Sequence, residues 1–323
     1  MTKAVLLVGG FGTRLRPLTE DMPKPMLPIA GLPVTEHQLM VAKKAGITEI
    51  VLATSYLAEI FKPYFGDGSQ FGMKIMYAVE KEPLGTGGAI RNAALELGEE
   101  FLKSDEPLVI FNGDIISHHH LEKQIAFHQE KSADVTLHLT RVKDARAFGC
   151  VPTDSEGRVT AFLEKMENPV TNAINAGCYV FHPRVISRIA PKTVVSVERE
   201  VFPALVSDGG RVFGYEEQAY WLDIGTPAAL LQGSRDLVGK DFLALDHSEI
   251  DHSADLTGGT AIGRHCSIGA GASIRGSIIS DGSTIGEGVT LENCFVARST
   301  KVPAGARYEN SYISNQLIAD LAH

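Results

Sequence analysis

The sequence of 323 residues has few cysteines and no long hydrophobic run. Its cysteines lie far apart and form no C-x-x-C pair; they are Cys150, Cys178, Cys266 and Cys294. This pattern argues against disulfides and zinc sites and indicates a reducing compartment. No apolar stretch approaches the roughly 20 residues of a membrane span, and Ala4–Val8 is too short for a signal-peptide core. We therefore expect a cytoplasmic protein without a membrane partner.

Basic residues are outnumbered by acidic ones. The chain has 30 Lys and Arg against 39 Asp and Glu, which gives a formal net charge of −9 at pH 7. Such a chain repels a nucleic-acid backbone unless a basic patch overrides the repulsion, and the sequence has no such run. A small anionic substrate stays possible, because a few local cations suffice at short range.

Neither of the two common phosphate-binding motifs is present. The Walker pattern does not occur, and the dinucleotide pattern G-x-G-x-x-G has Leu15 in place of its third glycine. Instead, an apolar strand leads into a loop of glycines and cations: Leu7, Gly9, Gly10, Gly12, Thr13, Arg14, Arg16 and Lys24. Glycines let backbone N–H groups approach an anion, and Arg and Lys neutralise phosphate charge. The loop therefore predicts a polyphosphate site after the first strand.

Apolar runs and helical patterns alternate as far as about residue 235. The predicted strands are 3–8, 49–53, 74–80, 107–111, 133–141 and 211–216, and the predicted helices are 34–45, 87–97, 119–131 and 198–207. This alternation is typical of a mostly parallel α/β sheet with helices on both faces, in which ligands lie beyond the carboxyl ends of the strands. The runs 148–153, 158–164 and 174–181 are too closely spaced for helical crossovers and predict an antiparallel extension over the mouth of the sheet. Ser117 is expected to cap the helix that follows it.

The composition changes from about residue 250, where an aliphatic or aromatic residue recurs at a fixed step. These residues are Leu256, Ile262, Ile268, Ile274, Ile279, Ile285, Leu291, Val296, Val302, Tyr308 and Ile313. From Ile274 the steps are five, six and six, which gives a coil of about 17 residues and is typical of a left-handed parallel β-helix. We predict two domains, 1–240 and 250–323, with 314–323 as a cap or tail.

Two acidic residues follow apolar segments. Asp114 follows the strand 107–111 after Asn112 and Gly113, and Asp223 lies between Leu222 and Ile224. Carboxylates are ligands that Mg²⁺ prefers, with phosphates and waters completing its shell. Each acid also has a purely local interpretation, since Asp114 suits a turn and Thr226 begins a helix-capping signal.

The loop from Gly9 to Thr19, followed by Pro23–Pro25, resembles the signature loop of the sugar-1-phosphate nucleotidyltransferases, G-G-x-G-T-R-L-x-P-L-T and then P-K-P. The resemblance is strongest to the actinobacterial-type branch of the mannose-1-phosphate guanylyltransferases, through residues 146–153 and 196–203. It implies a Rossmann-like, GT-A-like mixed sheet and transfer of a nucleotidyl group from GTP to mannose 1-phosphate. It also implies that Arg14 and Lys24 hold the β- and γ-phosphates, and that Asp114 and Asp223 bind Mg²⁺.

A second loop resembles the part of this family that lies on the nucleobase. It contains Glu80, Pro83, Gly85 and Thr86. Adjacent N1–H and N2–H donors of guanine suit a carboxylate, and Glu80 stands where thymidylyl enzymes of the family carry glutamine. We therefore expect guanine, unless Glu80 faces solvent and backbone amides read the base.

The remaining family segments imply a sugar-phosphate site. Its expected residues are Asn112, Gly149, Glu164, Lys165 and Asn175, with Lys165 on the sugar phosphate and Glu164 on sugar hydroxyls. Met166 departs from the family's F-x-E-K-P segment at its last position. Non-functional interpretations are also open: Glu164 and Lys165 could form a solvated ion pair, and Asn175 could be a turn residue.

Three other functions stay open. The same reaction could use glucose, heptose or amino-sugar phosphates with dTTP, UTP or CTP. The chain could be a non-catalytic subunit that senses nucleotide sugars, or a β-helix acyltransferase that uses His265. The triplet His118–His120 is not expected to bind metal, because adjacent histidines in a helix point apart. We expect a homo-oligomer assembled through the β-helix.

Overall fold

The structure is a computed structural model that describes residues 1–10, 12–20, 22–54 and 58–321. Its contacts divide the chain into two compact units. The first consists of Met1–Gly10 and Gln38–Trp221, and the second of Phe11–His37 and Leu222–His323. Most of the glycine loop thus groups with C-terminal residues. The division into domains 1–240 and 250–323 stays a prediction.

The secondary structure up to residue 240 alternates strands and helices. The strands are β1 (Lys3–Leu7), β2 (Pro28–Ile29), β3 (Leu32–Pro33), β4 (Glu49–Thr54), β5 (Lys74–Val79), β6 (Leu108–Asn112), β7 (Ile115–Ser117), β8 (Val135–Arg141), β9 (Gly149–Cys150), β10 (Leu163–Glu164), β11 (Ala173–Phe181), β12 (Val212–Glu216) and β13 (Trp221–Asp223). The helices are α1 (Val34–Lys44), α2 (Ala58–Phe65), α3 (Gly85–Leu95), α4 (Glu99–Leu102), α5 (Leu121–Glu130), α6 (Phe202–Ser207) and α7 (Pro227–Val238).

A mixed sheet in the order β10-β9-β11-β6-β1-β4-β5 forms the first unit, and β8 extends it by pairing with β11 and β12. The strands β6, β1, β4 and β5 are mutually parallel, whereas β11 is antiparallel to both β6 and β8. The central strands β1 and β6 are almost wholly apolar, as expected for parallel strands that are buried on both faces. The predicted mixed sheet is confirmed, and the antiparallel strands continue the same sheet.

Several expected boundaries shift by one or two residues, and some local predictions are wrong. Ser117 does not cap α5: the helix begins after His120, and the Ser117 hydroxyl oxygen accepts from the His119 N–H instead. The expected strands over 148–153 and 158–164 shrink to the two-residue strands β9 and β10. The helix expected over 198–207 begins as a π-helical turn, Val197–Val201, before α6.

The second unit contains a parallel β-helix. Its strands are β14 (Phe242–Ala244), β15 (Glu249–Ile250), β16 (Asp255–Thr257), β17 (Thr260–Ile262), β18 (Ser267–Ile268), β19 (Ser273–Arg275), β20 (Ile278–Ile279), β21 (Thr284–Ile285), β22 (Thr290–Glu292), β23 (Phe295–Val296), β24 (Lys301–Val302), β25 (Arg307–Glu309), β26 (Ser311–Ile313) and β27 (Ile318–Asp320). They form three faces, β14-β17-β20-β23-β26-β27, β15-β18-β21-β24 and β16-β19-β22-β25.

The predicted repeat residues line the interior of the β-helix. Ile268 pairs with Ile285, which pairs with Val302, so equivalent positions stack from coil to coil. All of the predicted residues are buried in this core except Tyr308, which is partly buried against it. The pattern ends where β27 turns back antiparallel to β26. Residues 322 and 323 of the expected tail lie outside the described residues.

Helix α7 packs on β17 and on β2 within this unit. Thr226 caps the helix by accepting a hydrogen bond from the Ala229 N–H at 3.2 Å, and Pro227 occupies its first turn. Arg235 of α7 donates to the Asn293 side chain at 2.7 Å. Among the described residues, the structure contains no helix that is long and apolar enough to cross a membrane.

We expect Gly113→Ala to destabilise the protein. A Cβ at Gly113 would lie 2.2 Å from the carbonyl oxygen of Leu7, to which the Gly113 N–H also donates. Relieving this overlap requires backbone movement between β1 and β6, at a cost of about 1–3 kcal/mol. Gly10→Ala is the matched control, because its Cβ would meet nothing within 4 Å. Urea unfolding that found equal losses for both variants would contradict this packing argument.

Candidate active site

The glycine loop in the second unit folds around Gly12. Gly12 has φ +59°, a left-handed conformation that favours glycine. A Cβ there would lie 3.0 Å from side-chain carbons of both Lys24 and Thr19, and the Thr19 hydroxyl donates to the Gly12 carbonyl at 2.8 Å. Thr13 begins a short 3₁₀ helix, Thr13–Leu15, and Lys24 begins a second, Lys24–Met26. These turns bring Arg14 and Lys24 into one loop structure.

The predicted cations of this loop meet the predicted metal ligand Asp223. The Lys24 side chain is 8% exposed, and its Nζ lies 3.8 Å from Oδ1 of Asp223. A Cβ built on Gly225 would lie 3.1 Å from Nη2 of Arg14 and 3.2 Å from the same Asp223 oxygen. Two cations and one carboxylate therefore converge beside Gly225, a position that sequence reasoning did not single out.

The carboxyl end of β1 holds the other predicted residues of the first loop. Leu7 is the last residue of β1 and pairs with Asn112 at the end of β6. Gly9 and Gly10 follow, and the space beside the Gly10 Cα is open. Phe11 of this loop lies outside the described residues. Asp114 is half-buried in the turn that joins β6 to β7.

The second loop runs from the end of β5 into α3. The Leu84 N–H donates to Oε2 of Glu80 at 3.2 Å, so the carboxylate turns back towards the start of the helix. Oε1 of Glu80 is buried and has no hydrogen-bond partner among the described residues. Burial raises the pKa of Glu80, and the bond from Leu84 opposes that shift. The loop thus contains a buried acceptor atom with spare capacity.

The glycines of this loop have a packing role. Gly85 has φ +70°, and a Cβ there would lie 2.5 Å from the carbonyl oxygen of Val195. The Gly87 N–H donates to the same oxygen at 2.8 Å, and the Val195 N–H donates to the Leu84 carbonyl at 2.9 Å. Close approach of residues 193–197 therefore requires small residues here. The hydroxyl of Thr86 also forms hydrogen bonds with residues of this segment.

A break in β11 brings two predicted sugar-binding residues together. The register against β8 shifts between Asn175 and Tyr179, and Gly177 in the break has φ +76°. The Asn175 side-chain amide donates to the Tyr179 hydroxyl at 2.9 Å, and the Asn112 amide donates to it at 3.3 Å. Oδ1 of Asn112 is buried without a partner among the described residues. The indole of Trp221 donates to the Ala176 carbonyl at 2.9 Å, which ties down the break.

The other three predicted sugar-binding residues are also neighbours. Gly149 pairs with Glu164 across β9 and β10. A Cβ on Gly149 would lie 2.8 Å from Oε2 of Glu164, so the carboxylate lies over the glycine. Lys165 has φ +47°, which is unusual for a residue with a side chain, and its Nζ lies 3.8 Å from Oε1 of Glu164. The Lys165 side chain is 61% exposed, which leaves it room to reach a ligand.

The histidines singled out in the sequence have separate environments. The ring of His118 contacts Tyr220, Nε2 of His119 lies 2.9 Å from Oε1 of Gln124, and Nδ1 of His120 lies 2.5 Å from Oε1 of Glu217. His265 stacks on His247 with ring centroids 5.0 Å apart. Within the described part of the chain, no group of three or more His, Cys, Asp or Glu side chains is arranged to hold a metal ion.

Sequence reasoning missed Tyr179, Glu198 and Gly225. Tyr179 is fully buried, and burial raises its pKa well above the ordinary value. The sequence did contain a signal for Tyr179, because it is a tyrosine within an apolar run. A buried tyrosine hydroxyl needs a hydrogen-bond partner. Glu198 and Gly225 carried no such signal, because their importance depends on residues distant in sequence.

Comparison with known proteins identifies relatives of this chain. A family model described as Nucleotidyl transferase matches residues 3–239. The chain is 49% identical over 292 residues to a mannose-1-phosphate guanylyltransferase of Mycobacterium tuberculosis, covering 86% of this chain and 80% of that protein. It is 38% identical to a mannose-1-phosphate guanyltransferase beta-B of Xenopus laevis, covering 72% of this chain and 63% of that longer protein.

Solved structures share the fold. HddC from Yersinia pseudotuberculosis, crystallised in complex with GMP-PN, has a TM-score of 0.61 and 28% identity, with 73% of this chain and all of that chain covered. A putative glucose-1-phosphate thymidylyltransferase from Bacillus anthracis has a TM-score of 0.64 and 23% identity, with 72% of this chain and 94% of that chain covered.

We expect Tyr179→Phe to destabilise the protein by about 1–2 kcal/mol, because the buried amides of Asn112 and Asn175 lose a shared acceptor while the ring packing is kept. Tyr77→Phe is the control: its hydroxyl makes one solvent-exposed bond, to the Gly66 carbonyl. Thermal and urea unfolding measure the difference. A loss in Tyr179→Phe no larger than that in the control would rule out this role for the hydroxyl.

Proposed function

Because the chain belongs to the nucleotidyl transferase family, we propose that it transfers a guanylyl group from GTP to mannose 1-phosphate, giving GDP-mannose and pyrophosphate. The observation that carries the substrate pair is the 49% identity to the mycobacterial mannose-1-phosphate guanylyltransferase over 86% of this chain. The buried, partnerless Oε1 of Glu80 supports guanine, since it offers an acceptor to the N1–H and N2–H donors of that base.

The reaction is an in-line displacement at the α-phosphorus. An oxygen of the sugar phosphate forms the new P–O bond, the bond from the α-phosphorus to the bridging β-oxygen breaks, and pyrophosphate leaves with that electron pair. The nucleophile is already an anion, so the step requires no general base. Positioning and neutralisation of charge therefore supply most of the acceleration.

Cations of the glycine loop hold the leaving group in this proposal. Arg14 and Lys24 hold the β- and γ-phosphates. The burial of Lys24 favours this role, because a cation with little access to water is poorly screened and acts strongly on a nearby phosphate.

The sugar phosphate is held by a second group of residues in this proposal. Lys165 neutralises the attacking phosphate, and Glu164 accepts from sugar hydroxyls. Oδ1 of Asn112 is a further acceptor for a hydroxyl, whereas Asn175 acts through its amide and through the break in β11. Gly149 keeps the space above the Glu164 carboxylate free of a side chain.

Mg²⁺ is the proposed cofactor, with Asp114 and Asp223 as its protein ligands. The donor chemistry fits, because Asp223 presents a buried carboxylate oxygen among cations that would themselves face the triphosphate. When bound, the ion would neutralise charge on the triphosphate and its leaving group. That the two carboxylates share one ion is a proposal from the sequence.

We also propose a cellular compartment and an oligomeric state for the enzyme. All four cysteines are free and buried, which favours a reducing cytoplasm. Assembly into a homo-oligomer through the β-helix is expected from the resemblance to the family. Size-exclusion chromatography with light scattering tests that assembly.

A rate panel tests the substrate pair. Pyrophosphate release is measured for GTP, dTTP, UTP, CTP and ATP against mannose, glucose, heptose and amino-sugar 1-phosphates. We expect the highest kcat/KM for GTP with mannose 1-phosphate. Another preferred pair would replace the proposed substrates, and no release with any pair would favour the nucleotide-sugar-sensing subunit. Acyl-CoA consumption would favour the acyltransferase.

We expect Lys165→Ala to lower kcat/KM, because one preorganised cation on the sugar phosphate is lost. The decrease should correspond to a loss of about 2–4 kcal/mol in transition-state binding. Lys123→Ala is the control, since Lys123 is exposed on α5. Steady-state rates in both substrates separate the effects. Near wild-type kcat/KM in Lys165→Ala would make this assignment wrong.

The KM for GTP should depend on the ionisation of Glu80. Because burial raises its pKa, Glu80 takes up a proton at a higher pH than an ordinary glutamate does, and the protonated acid accepts poorly from guanine. The KM for GTP should therefore rise as the pH falls through this raised pKa. Glu80→Gln should raise that KM by about ten- to a hundredfold and abolish its dependence on pH over the same range. A variant with the wild-type pH profile would exclude Glu80 as the base reader.

A further inference from the structure

The loop proposed to hold the nucleobase is fastened to a segment far along the chain. Oγ1 of Thr86 donates to Oε2 of Glu198 at 2.7 Å, and the two residues are 112 positions apart in the sequence. The Ser196 hydroxyl donates to the same Glu198 oxygen at 3.0 Å. The Val197 N–H in turn donates to Oγ1 of Thr86 at 2.9 Å. The Thr86 hydroxyl is thus both donor and acceptor within the protein.

These bonds change the role of Thr86. Its only hydroxyl proton is engaged in the hydrogen bond to Glu198, so the side chain cannot also donate a hydrogen bond to a nucleotide. The threonine instead links the start of α3 to residues 196–198. The bonds of Gly87 and Leu84 with Val195 run beside this link, so side chain and backbone fasten the same two segments.

Glu198 also lies near enough to Tyr179 to act on it electrostatically. Its negative charge acts on the buried hydroxyl of Tyr179, which holds the amides of Asn112 and Asn175. Tyr179 also packs its ring edge-on against Phe202, which directly follows the π-helical turn that contains Glu198. One carboxylate therefore contacts the loop proposed for the nucleotide and neighbours the residues proposed for the sugar.

We propose that Glu198 is a positioning residue that holds the loop from Leu84 to Gly88 in the shape that receives the nucleotide. This inference rests on the proposed function. Glu198 touches no substrate in it: the carboxylate acts through Thr86. A flexible loop must be ordered when the nucleotide binds, and the conformational entropy lost then weakens binding. A loop that is already fastened avoids that loss.

The test compares variants at both ends of the link. Glu198→Ala removes the acceptor for Thr86, and we expect the KM for GTP to rise about tenfold or more. The KM for mannose 1-phosphate and kcat at saturating GTP should change much less. Glu198→Gln keeps an oxygen that accepts from Thr86 and should restore most of the lost affinity. Thr86→Val breaks the same link and should reproduce the effect of Glu198→Ala even if that variant folds poorly.

Glu200→Gln is the matched control. Glu200 lies on the same segment and accepts from the Ser196 N–H at 2.8 Å, but its side chain is exposed. The double variant Glu198→Ala with Thr86→Val should have a KM for GTP close to that of either single variant, because both remove one interaction.

The outcomes separate the inference from the function. A wild-type protein with no guanylyl transfer would overturn the proposed function itself. An active wild type in which Glu198→Ala and Thr86→Val match Glu200→Gln would overturn the inference alone. Equal rises in both KM values, or additive effects in the double variant, would also overturn it, because they would indicate general damage or independent roles.

Discussion

The pairing of β11 with β6 on one side and with β8 and β9 on the other is the constraint on which the first unit depends. Through it the parallel half of the sheet continues into the antiparallel half. In a regular strand, residues four apart are separated by about 13 Å. The break in β11 instead brings the Asn175 amide within 2.9 Å of the Tyr179 hydroxyl. The cluster of Asn112, Asn175 and Tyr179 lies at this break, and Gly177 provides the left-handed conformation there.

Glycine is frequent around the site for reasons that differ from position to position. Gly113 is needed because β1 and β6 bring backbone close to it, and Gly149 because the Glu164 carboxylate lies over it. Gly85 is needed because Val195 packs against it. Beside Gly10, by contrast, the space is open, which is what a backbone approaching phosphate requires. A glycine-rich loop thus combines ligand access with close packing, and only the surroundings of each glycine distinguish the two.

Charge in the second unit is organised around a buried lysine. Removing a lysine from water is costly unless an anion compensates, and Asp223 provides that anion beside Lys24. Arg14 adds a second cation at the same place. In the proposed reaction, a carboxylate in this position would orient the cations before any substrate arrives, so little reorganisation would be needed. The same carboxylate is the proposed ligand of Mg²⁺, which would place phosphate, metal and cations around one side chain.

The sequence by itself determined the mixed sheet, the period of the β-helix and the residues of the glycine loop, since hydrophobic periodicity and local turn chemistry are written in neighbouring positions. The resemblance to the family also implied the grouping of Gly149, Glu164 and Lys165, which are neighbours in the structure. Only the tertiary structure decided the contacts of Tyr179 and Glu198, the convergence of Arg14 and Asp223 on Gly225, and the packing against Gly85. Each of these depends on contacts between residues far apart in the chain, and no local pattern records which distant backbone will approach.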